Sequence, residues 1–383
     1  MRKWPAVAML NVVLACYVAI AAARVVRNTA AFNGGKDFYP YWYASFSLRE
    51  RSDPYAAYLQ GGTPSTAPAR LTALPSSPAV TAPLLPVALP FSFLPWAAAK
   101  WAWLIVAVTA IAFTPAIAFR AAERFGHAVG SLRLTIHLLF FSLLATRLAV
   151  GNGQLVCPVI FLLMLALKIT SPWLAGLVLG IALSKYSVAI PVAIVFLFRR
   201  DWIALAVAAL VQFAGAVALS LWTGSTLLSI LTEYLAIARM HAPQAGYQFQ
   251  SPVVDAVIAA ALLAIAWWRF ARRRYQVLAF LCAGSLLVVY HRVYDGVLLL
   301  PAIIALAPLK RRPMWTTIGL AIALSVLMLP GTIIDSQRWV DLSGDAQRYA
   351  VLLLLGILTF EVMRDDEPAQ ESILGTAGST PEV

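Results

Sequence analysis

Proton transfer and phosphate binding need ionisable side chains, and this sequence is sparing with them. Of 383 residues, 12% are charged and 61% are hydrophobic. An ionisable group near membrane depth is costly and usually serves a pathway or a site, so each one that interrupts apolar surroundings is a candidate for chemistry. Asp37 comes first, in GGKDFYPYWYASFSLRERSDPYAAY (residues 34–58). A carboxylate facing a lipid-lined cavity can take a proton from a sugar hydroxyl. The alternative is a helix cap, with Phe38, Tyr39, Tyr41 and Trp42 at headgroup level on an interfacial helix. Tyr41 and Asp53 of the same stretch, and Gln154 in GNGQ, are candidate substrate contacts.

Lys185 stands between two apolar half-helices. It either snorkels to headgroups or holds a lipid phosphate, where a compact ammonium is well suited. YHRVYD (290–295) packs Tyr290, His291, Arg292 and Asp295 into one turn. Arg292 either pairs with Asp295 or, with His291, contacts phosphate or sugar; Tyr290 and Asp295 are further substrate contacts. Glu233, Arg239, His241 and Gln250 fall on the same side in the topology below. The four histidines have no ligand spacing, so neither a metal nor another cofactor is expected. No glycine-rich phosphate loop or dinucleotide fingerprint is present, which leaves a soluble nucleotide-sugar donor unsupported and favours a lipid-linked one.

The elements that must position these residues are membrane helices. Soluble domains run nearer ~25% charged. Charge-free runs at 4–23, 101–119, 148–167, 203–232 and 314–334 approach or exceed the ~20 residues of a bilayer span. The first run has no clean cleavage site and many spans follow it, so it reads as a retained helix rather than a signal peptide. Basic residues gather at Arg199 and Arg200, at 269–274, and at Lys310, Arg311 and Arg312; the positive-inside rule puts these loops in the cytoplasm. The same rule accounts for the formal charge of +12 without nucleic acid. Cys16, Cys157 and Cys282 all lie in apolar runs and suggest no disulfide framework.

The predicted fold is an all-α polytopic membrane protein of about eleven to thirteen spans. Residues 1–363 form the membrane domain, with an outer loop at 24–77 and a helical hairpin at 172–198 that turns at Lys185. Prolines at 83, 86, 90 and 95 predict a re-entrant or interfacial piece at 79–95. The segment 364–383 reads as a disordered cytoplasmic tail.

Four stretches, in order, carry a family resemblance: DFYPYWYASFSLRERSDPYAAY, PSSPAVTAPLLPVALPFSFLP, GNGQLVCPVIFLLMLALK and WLAGLVLGIALSKYSVAIPVAIVFLFRRDW. Together they resemble the polyprenyl-phosphate-sugar-dependent transferases of the GT-C superfamily, most nearly the bacterial α-1,2-mannosyltransferases of glycosyltransferase family 87. The departures are LPSSP where the family has Tyr-Pro-Pro, a single His291 where it often has paired histidines, and GYQFQSP for its Asn-Gln-Ser loop. The resemblance implies a multi-pass protein of the bacterial plasma membrane with its site on the outer face. Its donor would be a polyprenyl-phosphate sugar, mannose foremost, and its acceptor a glycolipid or glycan of the cell envelope. Asp37 would be the catalytic base, Lys185 and Arg292 would hold the donor phosphate, and inversion would result. A transporter of lipid-linked sugars and a non-catalytic assembly subunit are the alternatives.

Overall fold

A computed structural model describes residues 4–31, 34–61, 66, 81–241, 251–289, 291–307, 313–329 and 337–364. Tyr290, Gln250, the 308–312 loop and the tail from 365 lie outside these. The described chain is helical throughout, with no strand. α1 (Trp4–Ala30) is followed by α2 (Tyr39–Arg49) and α3 (Pro54–Leu59), each of the latter two with a proline in its first turn. α1 therefore continues past residue 23 and carries Arg24 and Arg27 within the helix. Long arginine stems can lie along apolar surface, so these charges do not end a span.

The proline-rich segment forms short turns around α4 (Leu85–Ala88), because proline removes the donors that a longer helix needs. α5 (Trp96–Arg124) crosses the molecule, over about 43 Å at ~1.5 Å per residue. α6 (Arg133–Ser142) and α7 (Leu144–Gly151) form a crossing bent by 59°. α8 (Val156–Lys168) descends beside α5, and α9 (Pro172–Ala182) and α10 (Tyr186–Phe198) follow.

The segment from α9 to α10 would be ~40 Å long if straight. Instead both its ends meet the end of α5: Arg124 donates to the Ile169 carbonyl, and the Arg199 guanidinium lies 5.5 Å from the Phe125 ring. The chain therefore doubles back, and Lys185 (φ −112°, ψ 72°) sits at the turn. α11 (Trp202–Thr223) packs along α9. Gly176 and Gly180 face Ala204 and Ala208, and an added Cβ at Gly176 would lie 2.5 Å from the Ala204 carbonyl oxygen. Small residues four apart on both helices allow this close approach in a membrane. Gly224, at φ +73°, ends α11.

α12 (Leu227–His241) packs on α3, then α13 (Pro252–Arg269), α14 (Arg274–Val288), α15 (Leu300–Leu306), α16 (Met314–Met328) and α17 (Gln337–Met363) complete the bundle. The bundle has two chemically different ends. Arg124, Arg199 and the start of α14 lie at one, where Arg269 also donates to the Val362 carbonyl at 2.7 Å. The starts of α2, α8 and α10 lie at the other.

Candidate active site

The stretch containing Asp37 is fixed from behind. The Lys100 ammonium, in α5, donates to the Ala31 carbonyl at 2.7 Å and holds the exit of α1. The Gly35 N–H then donates to the Gly151 carbonyl at 3.3 Å, and the Asp37 N–H to the Asn152 carbonyl at 2.9 Å. Phe38 stacks on Trp103 with centroids 4.3 Å apart, while the Trp103 indole N–H donates to the Gly153 carbonyl at 2.8 Å. The Trp42 indole N–H donates to the Phe91 carbonyl at 2.9 Å. Phe38, Tyr39 and Trp42 are 0–2% exposed, whereas Asp37 is partly exposed. The aromatics are thus a buried anchor for the aspartate and not a headgroup belt. The capping role does not occur either: Phe38 is the N-cap of α2 and no side chain caps it.

The turn after α7 must approach this anchor closely. Gly153 has φ +72°, and a Cβ there would lie 3.1 Å from the Phe38 Cβ and 3.2 Å from the Gly35 Cα. Gly153→Ala is therefore expected to cost about 1–3 kcal/mol through strain and to displace the Asp37 turn. Thermal stability and transfer rate should fall together; an unchanged rate would mean the turn does not need this support.

Lys185 and the YHRVYD turn meet across 110 residues of sequence. Lys185 Nζ lies 3.3 Å from Asp295 Oδ1, with side-chain exposures of 17% and 2%. Asp295 Oδ2 accepts from the Arg292 backbone N–H at 3.1 Å and lies 3.4 Å from His291 Nδ1. Asp295 thus pairs with Lys185 rather than with the Arg292 side chain. The lysine is also 5.5 Å from the Tyr294 ring. His291 is fully buried, and its Nε2 has no hydrogen-bond partner among the described residues. His291 and Asp295 are thus buried against one another, and Asp295 against Lys185. Gln154, 5% exposed, is likewise buried at the base of the Asp37 anchor.

Tyr41 connects the two groups electrostatically. Its phenol is pushed above the ordinary range, first by burial and then by Asp37; Arg292 opposes the shift and Asp295 adds to it. Tyr234 of α12 lies near Tyr186, the residue after Lys185. Sequence reading passed over Lys100, Tyr234 and Tyr186. Lys100 had a visible signal, an isolated cation four residues after Trp96 in an apolar helix.

Asp53, 6% exposed, serves the fold as a helix cap. Its Oδ1 caps α3 by accepting from the Tyr55 N–H at 2.8 Å, and Glu233 of α12 lies near enough for the Asp53 charge to act on it. Burial pushes Glu233 up, Ser229 opposes with a 2.9 Å hydrogen bond, and Asp53 pushes it further up. A raised carboxyl contributes its stability below the unfolded value and loses it as pH rises through the folded one. Melting temperature should therefore fall across that window in the wild type, by less than ~1 kcal/mol for so exposed a group. Glu233→Gln should flatten the profile; an identical profile in the variant would mean that Glu233 is not the titrating group.

Among the described residues, no group of three or more His, Cys, Asp or Glu could hold a metal. A family model described as Glycosyltransferase family 87 matches residues 78–301, which contain Gln154, Lys185 and 291–295; Asp37 precedes the match. No curated protein and no solved structure matches the chain.

Proposed function

The chain belongs to glycosyltransferase family 87, and on that footing we propose which sugar transfer this membrane enzyme performs and how. The donor is a polyprenyl-phosphate sugar, mannose foremost, and the acceptor is a hydroxyl of a cell-envelope glycolipid or polysaccharide. The site faces the outer side of a bacterial plasma membrane, since the arginine-rich end of the bundle is the cytoplasmic one by the positive-inside rule.

In the proposed step, Asp37 takes the acceptor hydroxyl proton as its oxygen bonds to the anomeric carbon from the face opposite the phosphate. The bond from that carbon to the phosphate oxygen breaks, and its electron pair leaves with polyprenyl phosphate. The sugar is thereby inverted. Charge grows on the leaving phosphate, where a preorganised cation is most effective; Lys185 and the Arg292 guanidinium are the candidates. Asp295 holds Lys185 in place. Tyr41 lies near the base, and the proposal makes it a substrate contact.

The observation that carries the reading is the meeting of Lys185 with the 291–295 turn, where its Nζ lies 3.3 Å from Asp295 Oδ1. That turn is also near Asp37, since the charges of Asp37, Arg292 and Asp295 all act on the Tyr41 phenol. Depth supports a lipid-borne donor. The Gln212 amide donates to Ser184 Oγ at 3.2 Å, and Trp222, ten residues further along α11, donates to the Leu48 carbonyl at the outer end. Lys185 therefore lies roughly 15 Å below that end, a level at which a lipid phosphate can enter sideways.

The test is donor choice. Purified protein in nanodiscs receives short-chain polyprenyl-phosphate-mannose, the glucose and arabinose counterparts, or GDP-mannose, with a panel of glycolipid acceptors. Transfer from a polyprenyl-phosphate sugar and none from GDP-mannose is expected. Transfer from GDP-mannose alone would overturn the donor assignment.

A further inference from the structure

The start of α3 and the facing side of α12 bring together two carboxylates that the proposed transfer step leaves unused. Asp53 needs only one oxygen to cap α3: Oδ1 accepts from the Tyr55 N–H at 2.8 Å and from the Ala56 N–H at 3.4 Å. Oδ2 is buried and has no hydrogen-bond partner among the described residues, in a residue only 6% exposed. Glu233 repeats the pattern. Its Oε1 accepts from Ser229 Oγ at 2.9 Å, while Oε2 is buried with no such partner. The Asp53 charge acts on Glu233, so the two second oxygens belong to one locus.

Helix capping does not account for this arrangement, since a single hydroxyl or amide oxygen caps as well as a carboxylate does. Buried acceptors of like charge cost free energy unless hydrogen-bond donors meet them. The influences on Glu233 are burial, Ser229 and Asp53, with no cation among them. A sugar ring presents neighbouring hydroxyl donors, which suit two adjacent acceptors. Aromatic rings lie beside them. Tyr55 packs edge-on against Tyr234 with centroids 5.8 Å apart, and Tyr234 and Tyr41 are partly exposed. Such rings suit the apolar C–H surface of a sugar. They also tie the carboxylates to the chemistry: Tyr234, Asp53 and Tyr41 all act on Tyr55, while Asp37 and Tyr234 act on Tyr41. Asp53 follows closely on Leu48, whose carbonyl accepts from Trp222 at the outer end of α11. An acceptor arriving from outside therefore meets the carboxylates, and the lipid-borne phosphate enters lower, at Lys185.

On the reading of Asp37 as the base of a sugar transfer, we propose that Asp53 Oδ2 and Glu233 Oε2 hold a sugar ring of the acceptor by accepting hydrogen bonds from its hydroxyls. The acceptor is then a glycan and not a lipid alcohol.

Binding is measured apart from turnover. The full chain in nanodiscs is titrated with the methyl glycosides of mannose, glucose, galactose and arabinose, and with glycerol as an alcohol without a ring, by saturation-transfer difference NMR. The variants are Asp53→Ser, which keeps a capping oxygen and loses Oδ2, and Glu233→Gln, which keeps an acceptor for Ser229. Both should melt close to wild type. Wild type should bind at least one glycoside more tightly than glycerol, and each variant should lose about 10-fold in that affinity, the scale of a hydrogen bond to a charged group. With polyprenyl-phosphate-mannose as donor and the octyl form of the bound glycoside as acceptor, the acceptor KM should rise about 10-fold while the donor KM moves less than about twofold. Equal binding by wild type and both variants, or no glycoside preferred to glycerol, would overturn the subsite. So would sugar binding that requires added Mg²⁺ or Ca²⁺ and vanishes with EDTA, which would make the carboxylates a cation site. Binding lost in both variants, without transfer from any donor, would keep the subsite and remove the sugar-transfer reading instead.

Discussion

Replacing Asp37 by asparagine is expected to lower sugar transfer by ~100- to 10,000-fold, the usual contribution of a positioned general base. The substitution is nearly isosteric, and the bonds that hold the turn come from the backbone N–H groups of Gly35 and Asp37, not from the carboxylate. Phe38 and Trp103 continue to stack whichever side chain precedes them. Expression and melting temperature should therefore change by less than ~0.5 kcal/mol, as for a surface substitution. Donor binding should persist, since the proposed phosphate contacts are Lys185 and Arg292, so the loss should fall on kcat. Asp37→Glu keeps the charge but moves it by a methylene, and intermediate activity is expected. A loss confined to KM would instead make Asp37 a binding group.

The second large effect concerns the pair of Lys185 and Asp295. The two groups are 3.3 Å apart and mostly buried, and His291 and the Arg292 N–H serve the other carboxylate oxygen. Removing one partner of a buried pair strands the other and costs about 3–5 kcal/mol. Asp295→Ala should cost stability in that range and lower activity as well, because Lys185 loses its anchor. Lys185→Met should be milder for the fold, since Asp295 retains the His291 and Arg292 contacts. Its transfer rate should nevertheless fall by ~100- to 1,000-fold through loss of charge at the leaving phosphate. Melting curves and single-turnover rates on both variants separate the two roles. If Lys185→Met kept its rate while Asp295→Ala lost only stability, the pair would be purely structural.

These residues were legible in the sequence to different degrees, for physical reasons. The helical membrane architecture follows from apolar runs and basic loops, signals that bilayer energetics writes into composition. Lys185 stood out because nothing apolar around it explains a charge. Its partner did not, because pairing across 110 residues depends on how a hairpin and a turn pack, which periodicity does not carry. For Asp295 the sequence left a pairing with Arg292, its neighbour, beside a substrate contact, whereas the fold gives it the arginine's backbone and another element's ammonium. The aromatics after Asp37 were recognisable as unusual, yet amphipathic residues in a membrane protein suggest an interface. Only packing against Trp96 and Trp103 reveals them as a core. Asp53 showed the opposite case: Asp-Pro-Tyr is an ordinary helix start, and that is its role at Oδ1, while the nearness of Glu233 depends on how α12 packs. The true end of α1 was hidden because Arg24 and Arg27 look like a boundary but ride within the helix.

The measurement that bears most directly on the central claim is release of polyprenyl phosphate by wild type and Asp37→Asn protein, side by side in nanodiscs, with polyprenyl-phosphate-mannose and glycolipid acceptors. Acceptor-dependent release by the wild type, reduced at least ~100-fold in the variant at equal folded protein and equal donor binding, is the expected result. Equal release by both proteins would contradict the assignment of Asp37 as the base that drives the transfer.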